Sequence, residues 1–217
     1  GFGASGADLV PLGRQTPAPP RVPSPFPEAP VVIDPLFDAR AWWPIDVAEL
    51  ERAMARGQHR DRTQDEPPEL AAVSAQLEEG LGEMRDELGM QGLPLILGGV
   101  SQPAMLACDI AARNKIPLRG LWVFSGTLLA EPRWQAGFAK RGEETPPMRV
   151  LQSHGRHDPL LSFAHAERLK AHFEAASLPL EWLPFNGQHE LPQSLLSAAG
   201  KFLDEVFVGI GSDGGEG

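Results

Sequence analysis

Three side chains that could together carry nucleophilic catalysis lie in separate segments of the sequence. Ser101 follows the segment LGGV, Asp158 lies in HGRHDP, and His189 lies in NGQHELP. A serine hydroxyl is a poor nucleophile until a base removes its proton, and histidine can act as that base. An aspartate bonded to the other ring nitrogen fixes the histidine tautomer and stabilises the imidazolium. The three residues therefore predict covalent catalysis with Ser101 as nucleophile.

Each of these residues also has a structural interpretation. Ser101 could cap the helix that follows it, because serine is favoured at helix N-termini. Asp158 could be a turn residue, and the adjacent His157 could compete with it, although neighbours in sequence point apart. We expect His157 to be solvated and His154 to form hydrogen bonds behind the site. The other histidines are expected at the surface: His59, His165 and His172.

Alternating strands and helices must position these residues. The apolar patterns predict strands at 31–34, 93–97, 118–126, 148–155 and 178–185. They predict helices at 46–56, with Asp46 as N-cap, and at 67–88, 103–113, 162–176 and 192–207. We expect a loop around Trp134 and Phe138. Such alternation indicates the α/β fold class, a mostly parallel sheet with helices on both faces. Ser101, Asp158 and His189 each follow a strand, at the sheet edge where active sites of such folds lie.

Composition restricts the classes of partner. The 217 residues suit one domain, which we place at 1–208, followed by a disordered tail at 209–217. The net charge of −10 without a dense Lys/Arg cluster argues against nucleic acid as a partner. No apolar run is long enough for membrane insertion. The single cysteine, Cys108, is expected to be a buried apolar residue and favours a reducing, cytoplasmic location.

Four segments resemble one enzyme family. The segments GFGASGADLVPL, LGGVSQPAMLA, HGRHDPLL and NGQHELP resemble motifs of the phospholipase/carboxylesterase family, which includes the acyl-protein thioesterases. The motifs occur in the family order along nearly the whole chain, and the order Ser, Asp, His is that of α/β hydrolases. The resemblance implies an α/β-hydrolase fold and cleavage of carboxylic esters or thioesters without a cofactor or metal.

The resemblance and the residues together indicate further site residues. The backbone N–H of Gln102, next to the nucleophile, could bind the oxyanion of the tetrahedral intermediate. The family pattern implies the backbone N–H of Phe2 as the second donor. Trp42 and Trp43 follow the strand at 31–34 and could line a pocket for the acyl group. Leu128 and Leu129 form a second candidate wall.

Two features depart from the family pattern. Pro103 replaces a glycine in the segment after Ser101; proline is tolerated in a first helical turn, but its ring needs room. The strand expected before Phe2, inside the sheet between 31–33 and 93–97, is not represented. We therefore expect either that the sequence lacks N-terminal residues of the domain or that another segment fills the gap.

The expected activity is that of a serine carboxylester hydrolase acting on short- to medium-chain acyl esters of small molecules. Lysophospholipids or acyl thioesters are alternative substrates. A dienelactone-hydrolase-like activity is less favoured, because that family usually has cysteine at the position of Ser101. A binding module on a hydrolase fold is the alternative from another class, supported by Pro103 and the unrepresented strand.

Overall fold

The computed structural model of the chain describes residues 2–4, 10, 13 and 23–208. The strands are β1 (Val31–Asp34), β2 (Ala39–Ala41), β3 (Ile96–Val100), β4 (Gly120–Phe124), β5 (Arg149–Gly155) and β6 (Leu180–Phe185). The helices are α1 (Val47–Ala55), α2 (Leu70–Glu87), α3 (Gln102–Arg113), α4 (Glu131–Gly142), α5 (Phe163–Ala175) and α6 (Gln193–Val208). The predicted tail at 209–217 lies outside the described residues.

The main sheet has four parallel strands in the order β3-β4-β5-β6. Val100 at the end of β3 lies beside Phe124 at the end of β4, and Phe124 lies beside Ser153 in β5. The carboxyl ends of these strands therefore meet at one edge of the sheet. The predicted mostly parallel α/β fold is confirmed.

The side chains of β4 alternate between two cores, because successive residues of a strand point to opposite faces. Leu121 and Val123 are buried in the larger core, which includes Cys108 and other residues of α3, α4 and α5. Phe124 belongs to the smaller core under α6, and the Trp122 ring lies 6.3 Å from the ring of Phe202 there. The sheet is thus covered by helices on both faces, and Cys108 is buried as predicted.

The helices agree with most of the predictions. α1 begins after Asp46, whose carboxylate accepts a hydrogen bond of 2.8 Å from the backbone N–H of Glu49. A cap of this kind typically contributes about 1 kcal/mol to helix stability. The loop prediction around Trp134 and Phe138 is wrong, because these residues lie in α4. They stand four positions apart on one face of the helix, and both are fully buried.

The N-terminal strands differ from the prediction. The strand at 31–34 does not join the main sheet, because β1 pairs antiparallel with β2, with Val31 opposite Ala41. β2 lies between the strand predicted at 31–34 and the helix predicted at 46–56, where the sequence predicted no strand. The strand predicted at 93–97 is shifted to 96–100, and none of the residues of β3 is fully buried.

A cavity of about 380 Å³ lies along β3. Its walls are mostly apolar and come from β3, from residues 23–27 and from the helices α2, α3 and α6. Within the described part of the chain, no strand pairs with the edge of β3 opposite β4. The expectation that a further strand belongs beside β3 stays a prediction.

Candidate active site

Ser101 forms a one-residue turn between β3 and α3. Its backbone has φ 65° and ψ −123°, a conformation that non-glycine residues rarely adopt and that costs about 1–3 kcal/mol. Its N–H donates a 2.8 Å hydrogen bond to the carbonyl oxygen of Phe124, which ties the turn to β4. The Ser101 side chain makes no capping hydrogen bond to α3. The capping interpretation therefore does not apply, and a strained strand-to-helix turn is typical of a nucleophilic serine.

Pro103 fits into this turn because Gly99 leaves room for it. Pro103 lies in the first turn of α3, where the proline nitrogen replaces an N–H that has no partner within the helix. A Cβ atom added to Gly99 would lie 2.5 Å from the Cβ of Pro103 and 2.3 Å from its carbonyl carbon. Because Gly99 has no side chain, α3 can pack closely on β3 despite the ring of Pro103.

His189 and Asp158 are brought together at the carboxyl edge of the sheet. His189 Nδ1 lies 2.6 Å from Asp158 Oδ2 and donates to it. The other oxygen, Oδ1, accepts the backbone N–H groups of Leu160 at 2.9 Å and Leu161 at 3.0 Å. Asp158 is 3% exposed, whereas the side chain of His189 is 19% exposed and therefore accessible. The predicted link between the two residues is present.

The surroundings of Asp158 favour its ionised form. Burial alone would raise the pKa of this carboxyl group, but the hydrogen bonds from His189, Leu161 and Leu160, with the charge of His189, outweigh burial and lower the pKa. Asp158 therefore stays an acceptor that can hold the Nδ1 proton of His189. This arrangement leaves Nε2 of His189 as the atom able to accept a proton.

The loops that carry Asp158 and His189 are bonded to each other. The backbone N–H of His157 donates to the carbonyl oxygen of Gly187 at 3.0 Å, and that of Arg156 donates to Phe185 at 2.9 Å. Gly155, at the end of β5, lies so close to the His189 loop that an added Cβ would be 2.1 Å from the carbonyl oxygen of Gln188. The distance between Asp158 and His189 thus depends on backbone contacts as well as on the side chains.

Two further histidines contact the Asp158 loop. His154 is fully buried, its Nε2 donates to the carbonyl oxygen of Leu161 at 3.0 Å, and it lies 3.4 Å from Asp158 Oδ2. Burial lowers its pKa, which favours the neutral imidazole. This is the structural role that the sequence suggested. His59 is exposed, as expected, but its Nε2 donates to the carbonyl oxygen of Asp158 at 2.9 Å. The sequence showed no sign of this contact, which joins residues 99 positions apart.

Ser101 and His189 lie at the same sheet edge without a direct hydrogen bond between them in the described part of the chain. The bond between a nucleophile and its base is often longer in a substrate-free enzyme than in the reacting complex. His157 is exposed, as expected for a solvated loop residue, and among the described residues its side chain makes no hydrogen bond to Asp158. The catalytic roles of Ser101, Asp158 and His189 stay predictions.

The segments that carry the two expected oxyanion donors, Phe2 and Gln102, are both hydrogen-bonded to residues 40–43, which comprise the end of β2 and the two residues after it. Gln102 is the first residue of α3, so its N–H has no acceptor within the helix. Its side chain bonds the backbone of Trp42 and Trp43. Phe2 lies in a turn whose next residue, Gly3, donates its N–H to Arg40 at 2.8 Å. The position of Gln102 after Ser101 indicated its backbone N–H as a donor, but nothing in the sequence indicated the bonds of its side chain.

The predicted pocket residues occupy different places. Trp42 lines the cavity along β3, although it is 8% exposed. Trp43, Leu128 and Leu129 are buried in the larger core. A role for them as walls of a substrate pocket stays a prediction.

In the described residues, no group of three or more His, Cys, Asp or Glu side chains is arranged to hold a metal ion. None of the helices described is both long and apolar enough to cross a membrane.

Known proteins share this architecture. The family model of phospholipases and carboxylesterases matches residues 1–207. Comparison with curated proteins finds no sequence match.

Solved structures align with almost the whole chain. The crystal structure of esterase PE8 covers 95% of this chain and 89% of its own, with 24% identity and a TM-score of 0.73. A carboxylesterase from Mesorhizobium loti covers 94% and 84%, with 14% identity and a TM-score of 0.70. SOBER1 from Arabidopsis thaliana covers 95% of both chains, with 18% identity and a TM-score of 0.64. These structures show the same fold as this chain, and the family model matches its sequence over residues 1–207. The chain therefore belongs to the phospholipase/carboxylesterase family of α/β hydrolases, and it is a hydrolase of the carboxylesterase type.

Proposed function

We propose that the chain hydrolyses carboxylic esters through Ser101, His189 and Asp158. The observation that carries the proposal is the 2.6 Å contact between His189 Nδ1 and the buried Asp158 carboxylate, at the sheet edge where Ser101 occupies its strained turn. This contact holds His189 with Nε2 free, the form that a general base requires.

In the first half-reaction, the Oγ of Ser101 bonds to the carbonyl carbon of the ester, and its proton passes to His189 Nε2. The carbonyl oxygen becomes an oxyanion. When the tetrahedral intermediate collapses, the bond to the alcohol oxygen breaks and His189 returns the proton to the departing alcohol. Asp158 stays ionised and stabilises the imidazolium during these steps. The product of this half-reaction is an acyl-enzyme on Ser101.

In the second half-reaction, water replaces the alcohol. His189 takes one proton from the water while the water oxygen attacks the acyl carbon. The bond between the acyl carbon and Ser101 Oγ then breaks. His189 returns the proton to Ser101, and the carboxylic acid leaves. Each oxyanion is stabilised by the backbone N–H of Gln102 and by that of Phe2. Loss of one such donor typically removes about 3–4 kcal/mol of transition-state stabilisation.

The proposed substrates are small-molecule esters with short- to medium-chain acyl groups. The family model of phospholipases and carboxylesterases, which matches residues 1–207, supports an ester of a carboxylic acid as the substrate. Lysophospholipids and acyl thioesters contain the same acyl group and remain alternative substrates. A panel of p-nitrophenyl esters from acetate to dodecanoate, with a lysophospholipid and an acyl thioester beside it, tests this choice.

Ser101→Ala tests the nucleophile. We expect the wild-type protein to hydrolyse p-nitrophenyl esters and to be labelled by a fluorophosphonate, and we expect Ser101→Ala to lose both properties because no other hydroxyl replaces the Ser101 Oγ. Ser125→Ala is a matched control. Ser125 follows the neighbouring strand β4, is buried, and also has a positive φ of 46°.

Labelling and turnover that persist in Ser101→Ala but vanish in Ser125→Ala would identify Ser125, at the end of β4, as the nucleophile. That result would contradict the proposal. A folded wild-type protein with neither labelling nor turnover of any ester in the panel would favour the binding module instead.

A further inference from the structure

The side chain of Gln102 makes two buried hydrogen bonds to a segment 60 residues away. Its Oε1 accepts the backbone N–H of Trp42 at 2.8 Å, and its Nε2 donates to the carbonyl oxygen of Trp43 at 2.9 Å. Gln102 is only 1% exposed. A buried backbone N–H and a buried carbonyl oxygen both need partners, and an amide side chain can donate and accept at once. Glutamine is therefore suited to satisfy both groups.

The same segment is also hydrogen-bonded to the turn that contains Phe2, the other proposed oxyanion donor. Arg40, two residues before Trp42, accepts the N–H of Gly3 at 2.8 Å. Gly3 directly follows Phe2. The residues 40–43, which we call the spacer segment, are thus hydrogen-bonded to the Phe2 turn at one end and to the Gln102 side chain at the other.

The spacer segment is itself well supported. Ala41 pairs with Val31, and Arg40 pairs with Val32, in the two-stranded sheet. Ala41, Trp42 and Trp43 are buried. A packed, hydrogen-bonded segment of this kind has little freedom to move, so it can transmit the position of one neighbour to the other.

We propose that the Gln102 side-chain amide is a positioning residue that sets, through the spacer segment, the separation of the Phe2 and Gln102 backbone N–H groups. This inference rests on the proposed function, since both N–H groups are assigned there to the oxyanion. Gln102 then has two separable roles, because its backbone N–H bonds the oxyanion while its side chain places the partner donor. Optimal oxyanion stabilisation needs both donors within hydrogen-bond distance of one point.

Gln102→Met tests the inference, because methionine has a similar length and no amide, and it keeps the backbone N–H. We expect kcat for p-nitrophenyl butyrate to fall by about 100-fold, the effect of a displacement near 1 Å. We expect KM to change by less than about twofold, because the ground-state ester carries no oxyanion. The inhibition constant of an alkyl trifluoromethyl ketone, which forms an oxyanion on addition of serine, should rise by the same factor as kcat/KM falls.

Gln152→Met is the matched control. Gln152 is a fully buried glutamine of β5 whose Nε2 donates to the carbonyl oxygen of Ala166 at 2.8 Å. It should lose thermal stability as Gln102→Met does, while keeping kcat and the affinity for the ketone. A Gln102→Met protein that loses stability like this control but keeps kcat and ketone affinity would overturn the inference.

Gln102→Asn decides the question if the methionine variant does not fold. Asparagine keeps an amide donor and acceptor but is one methylene shorter, so it cannot bond both Trp42 and Trp43 without a shift of the spacer segment, and we expect an intermediate loss of kcat and of ketone affinity. Unchanged values would overturn the inference. Ser101→Ala separates the two proposals. Turnover that survives in Ser101→Ala contradicts the proposed function. If Ser101→Ala is inactive but both Gln102 variants keep full activity, only the positioning role is contradicted.

Discussion

At the scale of single residues, the site depends on a carboxylate that stays ionised although it is buried. Asp158 is excluded from solvent, which by itself raises its pKa, yet the hydrogen bonds from His189, Leu161 and Leu160 lower it below the ordinary value of 3.8. The same contacts that orient His189 therefore also stabilise the folded protein, since an acidic group with a lowered pKa favours the folded state above its ordinary pKa.

Asp158→Asn should reveal this contribution through its dependence on pH. The stabilisation from the carboxylate is fully present above about pH 4 and is lost as the pH falls through the lowered pKa of the folded protein. We therefore expect the free energy of unfolding of the wild type to exceed that of Asp158→Asn at pH 7, and the difference to shrink below about pH 4. Urea unfolding between pH 7 and pH 2.5 measures it.

The control for this experiment is Asp204→Asn, which changes an exposed carboxylate of α6. Its difference from the wild type should stay small over the whole pH range. A difference for Asp158→Asn that is independent of pH would mean that the carboxylate charge does not stabilise the fold.

At the scale of elements, the site depends on close approach between the ends of neighbouring strands. Gly99 in β3 admits Pro103 of α3, and Gly155 at the end of β5 admits the loop that carries His189. Both positions lie where a side chain would meet backbone atoms, which cannot move away as a flexible side chain could. A side chain at Gly99 or Gly155 would therefore keep α3 or the His189 loop from its observed position at the ends of the strands.

Gly155→Ala should displace His189. The added Cβ would lie 2.1 Å from the carbonyl oxygen of Gln188, well inside van der Waals contact, so the His189 loop must shift. We expect kcat/KM for ester hydrolysis to fall by about 100-fold, as for a misplacement near 1 Å. Steady-state kinetics with p-nitrophenyl butyrate checks this result.

Gly80→Ala is the matched control for Gly155→Ala. Gly80 lies within α2, and an added Cβ there meets no atom within 4 Å. Because alanine reduces the freedom of the unfolded chain, this variant should gain about 0.4–1 kcal/mol of stability and keep full activity. Equal activity of the two variants would show that the His189 loop tolerates the extra methyl group.

At the scale of the whole molecule, the larger core connects the sheet to the helices that cover it. Phe138 of α4 lies 4.7 Å from the ring of Phe173 in α5 and 6.2 Å from that of Trp134. The contact with Phe173 joins α4 to α5, the next helix along the chain, within the larger core. Loss of one of these buried rings should therefore leave a cavity in the larger core.

Phe138→Ala should lower the free energy of unfolding by about 3–5 kcal/mol, because it removes a fully buried ring and leaves a cavity. Phe37→Ala is the control: Phe37 is 82% exposed, and its loss should change stability by less than about 0.5 kcal/mol. Urea unfolding measures both values. Similar losses in the two variants would contradict the assignment of Phe138 to the core.

The sequence indicated much of the fold because its signals are local. Periodic apolar residues predicted α2 and α5, and an Asp46 cap predicted the start of α1. Glycine and apolar runs placed Ser101, Asp158 and His189 after three strands. The loop prediction for α4 failed although Trp134 and Phe138 have helical spacing, and β2 was missed because a three-residue strand has almost no pattern of its own.

By itself, the sequence determined the alternation of strands and helices, the order of Ser101, Asp158 and His189, and the family resemblance that the family match confirms. The tertiary structure decided the pairing of β1 with β2, the contact of Gly99 with Pro103, and the two hydrogen bonds from Gln102 to Trp42 and Trp43. The physical reason is distance along the chain. Helix periods and caps act over a few residues, whereas the Gln102 amide finds its partners 60 residues away, where only the folded chain brings them together.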